Sequence, residues 1–324
     1  MSGPYRFAVI GRGYMGRRHL AAIERHAKAA VATVIGRGEA LDVSAADAVI
    51  VCSPDATHPE YVTRLVPTGK LVLCEKPLAR TAAEFEAIRT AARGAERRLA
   101  VGMNCRFRRR IQDLKVALAR GDFGRVRLVR ALYYANVDVV LQGRAKAWWL
   151  DYPAGVLPFL HGGAIHAIDA LRFLFGEVEE VHCVPVATRG STALSGDGFV
   201  VVLRFADGLV ADLVITGTSF APNRLQIMLD GDRGSVDERD SYVATGGAVP
   251  EVRPLPDEDS GDIDRQLDHL ITVLDGTAAP LNTIDEAFRN FLVIHACEAS
   301  AACGAPVRVP HASTAHTATE TTHG

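Results

Sequence analysis

Three glycines in Gly11-Arg12-Gly13-Tyr14-Met15-Gly16 lie between an apolar run, Phe7 to Ile10, and a helical pattern from Arg17 to Ala30. In that context the first glycine permits a tight turn, the second lets the backbone approach a pyrophosphate, and the third lets helix and strand pack closely. The positive end of the helix then faces the anion. Residues 11–16 therefore predict dinucleotide binding, against the plainer reading of a turn that needs glycine for steric reasons only. About twenty residues further on, a carboxylate is expected to accept hydrogen bonds from the adenosine ribose. Ile35-Gly36-Arg37 stands there instead. A guanidinium at Arg37, beside Gly36, suits the 2′-phosphate of NADP, so NADP is favoured over NAD, with a solvated loop arginine as the alternative.

The elements that must position this turn alternate. Phe7–Ile10, Val31–Ile35, Ala48–Cys52 and Leu71–Cys74 are strand-like, and helical patterns run through Arg17–Ala30 and Pro59–Val66. This alternation predicts a parallel sheet in an α/β domain. The stretch from Arg37 to Asp47 is too short for a helix and a further strand with their turns, so one βα unit is expected to be trimmed. Thr81-Ala82-Ala83-Glu84 is a capping box that starts a helix ending near Gly94, and a strand at Leu99–Met103 completes a doubly wound Rossmann-type domain.

Beyond a basic helical linker, Arg108 to Arg120, the texture changes. Residues 126–136, 178–188, 198–217 and 223–243 are β-rich, with turn pairs at Asp207-Gly208 and Asp230-Gly231. They predict an α+β domain with a large open antiparallel sheet. Two helices close it, Ile263–Leu274 and one from the capping box Thr283-Ile284-Asp285-Glu286 to Cys303, with Gly304 as the stop. The expected domains are 1–120, 121–310 and a disordered tail at 311–324, where Thr, Ala and His predominate.

Composition narrows the function classes. The chain has 324 residues, 48% of them hydrophobic, and 36 Lys and Arg against 38 Asp and Glu. With a net charge of -2 there is no global field to hold nucleic acid by counterion release. No apolar run approaches the roughly 20 residues that span a bilayer, and Ser2-Gly3-Pro4 leads at once into a strand. A cytoplasmic protein with no nucleic acid or membrane partner is expected. Six cysteines, Cys52, Cys74, Cys105, Cys183, Cys297 and Cys303, form no C-x-x-C pair, which suggests neither a disulfide framework nor a metal site.

Glu75-Lys76-Pro77-Leu78 at a strand end, together with the glycine turn, Cys52-Ser53-Pro54 and His58, resembles the Gfo/Idh/MocA oxidoreductases. The resemblance continues through Gly102-Met103-Asn104-Cys105-Arg106-Phe107, Gly121 to Val126, Trp148-Trp149, His166-Ala167-Ile168-Asp169 and the closing helix before Pro306-Val307. It implies a nicotinamide domain followed by an open sheet, with Gly36, Arg37, Cys52, Ser53, Pro54, His58, Glu75 and Lys76 joining the glycine turn at the nucleotide. It implies Lys76 as the lysine that polarises a reacting carbonyl and passes a proton, and His166 as general acid/base, since imidazole titrates near the working pH. Asp169, one helical turn on, orients that ring or solvates the helix. Arg106, Trp148, Trp149, His161 and Gly162 complete the substrate-side residues. Gly162 stands where the family usually has an Asp, with Val156-Leu157-Pro158-Phe159 in place of a glycine-rich string, so the pocket is expected to be reshaped and more apolar. Arg108, Arg109 and Arg110 read as a solvated helix start.

The resemblance implies an NADP- or NAD-dependent dehydrogenase or ketoreductase that interconverts a secondary alcohol and a ketone on a sugar, nucleotide-sugar or cyclitol. A redox-neutral enzyme that keeps its nucleotide bound, or a regulatory homologue that has lost chemistry, are the alternatives. It further implies a homodimer or homotetramer formed through the open sheet.

Overall fold

The computed structural model describes residues 3–136, 152, 156–186, 196–244, 250–256 and 261–310. The chain divides into two compact units, one of residues 1–107 with 259–288, the other of 108–258 with 289–324. The boundary expected at residue 120 thus moves to Phe107, and a later segment returns to the first unit.

In the first unit β1 (Tyr5–Ile10), β2 (Ala29–Ile35), β3 (Ala48–Val51), β4 (Leu71–Cys74) and β5 (Leu99–Val101) form a parallel sheet in the order β2-β1-β3-β4-β5. A full doubly wound sheet has a further strand outside β2. Here residues 36–47 contain neither helix nor strand, so the trimmed unit is the one that would have supplied it. Helix α1 (Tyr14–Arg25) buries Gly16, His19, Ala22 and Ile23, a stripe three to four residues apart that faces the sheet. Helices α2 (His58–Leu65) and α3 (Ala82–Ala92) pack against one another. The Thr81 hydroxyl accepts from the Glu84 N–H at 3.2 Å, as the capping box requires.

The face of the sheet that carries α1 is completed from far along the chain. Ile263, Leu267, Leu270 and Ile271 of the helix Asp262–Leu274 join Phe7, Val9, Ile23, Ile50 and Leu73 in one buried cluster. That helix, expected in the second domain, belongs to the first. Its amphipathic stripe shows that it must dock, and the cluster shows where.

The second unit begins with α4 (Arg109–Arg120), and the mixed helix Leu160–Phe175, whose first turn is a π-turn over Leu160–Ala164, gives α5 (Ile165–Phe175). Numbering onward, Asp262–Leu274 is α6 and Ile284–Cys303 is α7, which runs from the first unit into the second. The strands are β6 (Val126–Tyr134), β7 (Val178–Val186), β8 (Gly198–Phe205), β9 (Val210–Thr216), β10 (Arg224–Gly231), β11 (Gly234–Val236), β12 (Asp240–Val243), β13 (Glu251–Pro254) and β14 (Val307–Arg308). They pair as β13-β12-β11-β10-β6-β9-β8-β7-β14. The sheet is mixed rather than wholly antiparallel, because β6 and β9 run parallel from Leu128↔Val210 to Tyr134↔Thr216. Hairpin signals report neighbours joined by short turns, and this central pair is not one of them.

One face of this sheet is closed by Val129, Ala131, Val201, Leu203, Leu213, Ile215, Leu225 and Ile227, all buried. Helix α5 covers part of it, with the Phe175 ring edge-on to Phe205 at 6.2 Å, and α7 reaches β7, where the Ser300 hydroxyl accepts from the Cys183 N–H. The opposite face keeps Leu128, Val184, Val200 and Val202 exposed. Among the described residues no helix is long and apolar enough to cross a membrane.

Candidate active site

In the first unit the candidate residues form a single line along the carboxyl edge of the sheet. The register aligns Ile35 with Ile10, Ile10 with Val51, Val51 with Cys74, and Cys74 with Val101. The next residue past each strand is therefore Gly36, Gly11, Cys52, Glu75 and Gly102, side by side. This is the edge at which open parallel sheets bind ligands.

Two of the three glycines in the turn are steric necessities. Gly11 has φ +103°, and a Cβ there would lie 2.5 Å from the Cys52 carbonyl oxygen. A Cβ on Gly16 would lie 2.0 Å from the Gly11 carbonyl oxygen, which explains why helix and turn can approach so closely. Gly13 has nothing within 4 Å of its Cβ direction, and it is the N-cap of α1 with no side-chain cap. The first turn of α1 contains no acidic residue, so its N–H groups and dipole are offered to an anion. The cradle fits a pyrophosphate. Tyr14 is exposed beside it, and Met15 packs against the core cluster.

The adenosine side differs from the sequence expectation. Arg37 is exposed, but a carboxylate is present after all, on Glu39. Both terminal nitrogens of the Arg12 guanidinium donate to it, at 2.6 and 3.0 Å, and the Gly36 N–H donates at 2.8 Å. The Arg12 hydrogen bonds, then that of Gly36, hold the Glu39 carboxyl below the usual range. The pattern looks for an acid at the strand end, whereas here the short loop Gly36-Arg37-Gly38 folds Glu39 back to it.

Around Lys76 the chain is tightly held. Lys76 is half-buried and its peptide bond to Pro77 is cis. Glu75 is buried, its N–H donates to the Val51 carbonyl, and its carboxylate lies 2.9 Å from Nε2 of the buried His19. His58 is buried with Nδ1 2.7 Å from the Pro77 carbonyl oxygen and Nε2 2.9 Å from that of Ser53. Burial holds the His58 pKa below the ordinary histidine value, against the pull of the Pro77 carbonyl, Asp55, the Ser53 carbonyl and Glu75. Neither His58 nitrogen is offered to a nucleotide, so its expected place among the cofactor contacts becomes one behind them. The Ser53 hydroxyl accepts from Thr57, and Pro54 closes the same turn. Cys52 is half-buried, and burial raises its thiol pKa well above the usual value. His19 was missed in the sequence because, one turn after Gly16, it reads as one more residue of the helix stripe.

Arg106, expected at the substrate, is a packing residue of the first unit. It is 2% exposed, donating to the Glu286 carboxylate at 2.8 Å and to the Leu281 carbonyl at 3.2 Å. Arg110 donates to the carbonyls of Asp237 and Glu238, in keeping with a helix start rather than a ligand cluster.

In the second unit His166 is half-buried on the first turn of α5, and Asp169 is fully buried on the next. The Asn290 amide donates to Asp169 at 2.6 Å, and Arg172 donates to the Asn290 carbonyl oxygen, also at 2.6 Å. Asp169 thus anchors α5 to α7. Gly162 lies buried in the π-turn, one residue after His161. His161 is held on the α7 side. Its Nε2 donates to Glu298 of α7 at 3.0 Å, with the rings of Tyr152 and Phe291 beside it. Glu298 also accepts from the Leu157 N–H at 2.7 Å, which ties the Val156–Phe159 string to α7. Trp148, Trp149 and the tail at 311–324 lie outside the described residues.

Glu298 carries a testable consequence. Burial alone raises its pKa, but hydrogen bonds from His161 and His295, the His161 charge and the Leu157 N–H outweigh it and hold the carboxyl at about 2, against 4.5. A depressed acid stabilises the fold above its unfolded pKa, and the contribution disappears as pH falls toward the folded one. Glu298→Gln is expected to cost about 3 kcal/mol at neutral pH and to flatten the stability loss between pH 4.5 and about 2. Urea midpoints across that range check it, and parallel curves for both proteins would count against the assignment.

Comparison with known proteins agrees with both halves. Residues 38–103 match the oxidoreductase family with an NAD-binding Rossmann fold, and residues 111–237 match the GFO/IDH/MocA C-terminal domain. Inositol 2-dehydrogenase 1 of Saccharopolyspora erythraea is 30% identical over 273 residues, 75% of this chain and 77% of that protein. Inositol 2-dehydrogenase of Acidiphilium cryptum is 31% identical over 255 residues, 71% and 72% of the two chains. Among solved structures, levoglucosan dehydrogenase in complex with NADH and L-sorbose superposes with a TM-score of 0.80 at 20% identity, covering 96% of this chain and 100% of that one. Relatives this similar over more than two thirds of their length, with both family domains matched in order, establish that the chain belongs to the Gfo/Idh/MocA family of NAD(P)-dependent oxidoreductases.

Proposed function

We propose that the protein oxidises a secondary alcohol of a cyclitol or sugar, and reduces the corresponding ketone in the reverse direction. The observation that carries this reading is Lys76 at the carboxyl edge of the sheet, in line with a glycine turn whose helix terminus is open to a pyrophosphate. The nicotinamide ring, when bound, takes up or returns the hydride. Lys76 takes the proton of the substrate hydroxyl in oxidation, and in reduction its ammonium polarises the carbonyl and protonates the alkoxide; the family resemblance gives His166 the part of general acid/base. The named activities of the inositol dehydrogenases and of levoglucosan dehydrogenase support a polyhydroxylated ring as substrate. Myo-inositol with NAD+, followed by a panel of cyclitols and pyranoses, is the first assay, read as NADH fluorescence. No turnover on any of them, together with no NADH binding, would overturn the reading.

Glu39 supports NAD as the nucleotide. A carboxylate at the end of β2 accepts hydrogen bonds from the ribose hydroxyls and repels a 2′-phosphate. Arg37 supports the second reading, NADP, if its guanidinium rather than Glu39 meets the adenosine. NADH is expected to bind at least tenfold more tightly than NADPH, and Glu39→Ser, which releases Arg12, is expected to narrow the ratio at least tenfold. Fluorescence titration of both proteins with both nucleotides decides between them, and tighter NADPH binding by the unsubstituted protein would assign the site to Arg37.

The exposed Leu128, Val184, Val200 and Val202 on the uncovered sheet face support assembly of copies through that face. Sedimentation analysis reads the order of the assembly.

A further inference from the structure

The two residues that flank Lys76 in sequence are each held by a buried histidine from a different helix. On one side, His19 of α1 holds the Glu75 carboxylate at 2.9 Å. On the other, His58 of α2 holds the Pro77 carbonyl at 2.7 Å and the Ser53 carbonyl at 2.9 Å. Both rings are 2% exposed or less, and Glu75 is 4% exposed. The niche is built for this contact, since a Cβ on Gly102 would lie 3.0 Å from the Cα, Cδ and Oε2 of Glu75.

The bonds leave Lys76 little backbone freedom. Pro77 fixes its own φ and has no N–H, so its carbonyl is the polar handle by which the turn can be held. Carbonyl oxygens only accept, and His58 faces two of them, so a neutral ring satisfies one and an imidazolium both. Through Ser53 the same ring also touches the turn that follows β3, next to Gly11 in the sheet register. His19 sits one turn along the helix that Gly13 caps. Ser53 and Glu75, expected at the nucleotide, and the segment that carries Lys76 are therefore linked through two histidine side chains.

We propose that His19 and His58 are positioning residues for Lys76, fixing where its ammonium points by anchoring Glu75 and Pro77. The proposal rests on the functional reading above for what Lys76 does, and on the hydrogen bonds for how it is held. A misplacement of about 1 Å at a reacting group can cost on the order of 100-fold in rate, so even partial release should be measurable.

The two rings use different nitrogens toward the lysine, which provides the test. An asparagine amide nitrogen occupies nearly the place of Nδ1 and a glutamine amide nitrogen nearly that of Nε2. His58→Asn therefore keeps a donor for Pro77 and His58→Gln loses it, whereas His19→Gln keeps a donor for Glu75 and His19→Asn loses it. The Lys76 amine is read directly by trace acetylation with acetic anhydride and mass spectrometry, with Lys28 as the exposed internal standard. Turnover of myo-inositol with NAD+ and NADH affinity are measured in parallel.

His58→Gln and His19→Asn are expected to change the Lys76 acetylation rate at least threefold relative to Lys28 and to lower kcat at least tenfold, with NADH affinity within threefold. His58→Asn and His19→Gln are each expected to retain at least fivefold more kcat than the paired variant. A role in packing alone gives the same order of Asn and Gln at both positions, and that result overturns the proposal. So does unchanged Lys76 labelling in all four variants, or labelling changes confined to variants that lose their near-ultraviolet dichroism. If the unsubstituted protein does not turn over myo-inositol, the labelling order alone decides, which separates failure of this inference from failure of the functional reading.

Discussion

Lys76→Ala is expected to lower kcat by about 100- to 10,000-fold while leaving NADH affinity within threefold. The side chain follows β4 at the edge where Gly11, Cys52 and Glu75 line up, and it is half-buried between residues held at both ends. The pyrophosphate cradle is made by the backbone of residues 11–16 and needs nothing from position 76. Binding and chemistry should therefore separate. Lys76→Arg sharpens the test, because a guanidinium keeps the positive charge but does not exchange its proton near neutral pH. If Lys76 acts only through charge, Arg restores much of the activity; if it carries the proton, Arg is nearly as slow as Ala. The functional reading predicts the second result. Steady-state kinetics of both variants with the best cyclitol found, beside NADH titration, supply the measurement, and an alanine variant within threefold of the unsubstituted kcat would remove Lys76 from the mechanism.

What could be read from the residues alone follows the range of the interactions. The glycine turn was legible because its constraint is local: Gly11 and Gly16 are required by atoms of their own strand-to-helix unit and the adjacent strand. The trimmed unit was legible for the same reason, since a chain length bounds what fits in it. Glu39 was not, because a count to the strand end takes no account of a loop that folds back. Its bond to Arg12 depends on a turn of Gly36, Arg37 and Gly38 that no pattern specifies. The partner of His161 lies 137 residues away on α7, and helix periodicity shows which face of α7 is buried without showing what it meets. The docking of α6 on the first sheet and the parallel pairing of β6 with β9 are also non-local. Hydrophobic period and turn chemistry describe elements well, and neither selects among distant partners.

The buried chain from Asp169 through Asn290 to Arg172 is such a non-local partnership, and breaking it at the centre is expected to cost about 3–5 kcal/mol. Asn290 is fully buried on α7. Its amide nitrogen donates to Asp169 and its carbonyl oxygen accepts from Arg172, so each half of one amide serves a charged group of the right sign. Arg172 extends the chain to Glu177 at 2.9 and 3.1 Å, and Arg289 donates to Glu177 at 3.2 Å. Asn290→Leu keeps nearly the same volume and removes both bonds, leaving a carboxylate and a guanidinium without this partner in a place where water does not replace it. Asn290→Asp gives a different signature. It strengthens the contact with Arg172 but sets a second carboxylate against Asp169, and two acids at such a distance cannot both ionise freely. Its destabilisation should therefore shrink as pH falls and one of the pair takes up a proton, whereas that of the leucine variant should not. Urea denaturation at neutral and mildly acidic pH distinguishes the two. Losses below about 1 kcal/mol for the leucine variant would show that packing alone holds α5 to α7. Because His166 lies one turn before Asp169 on α5, the same anchor fixes the segment that carries it.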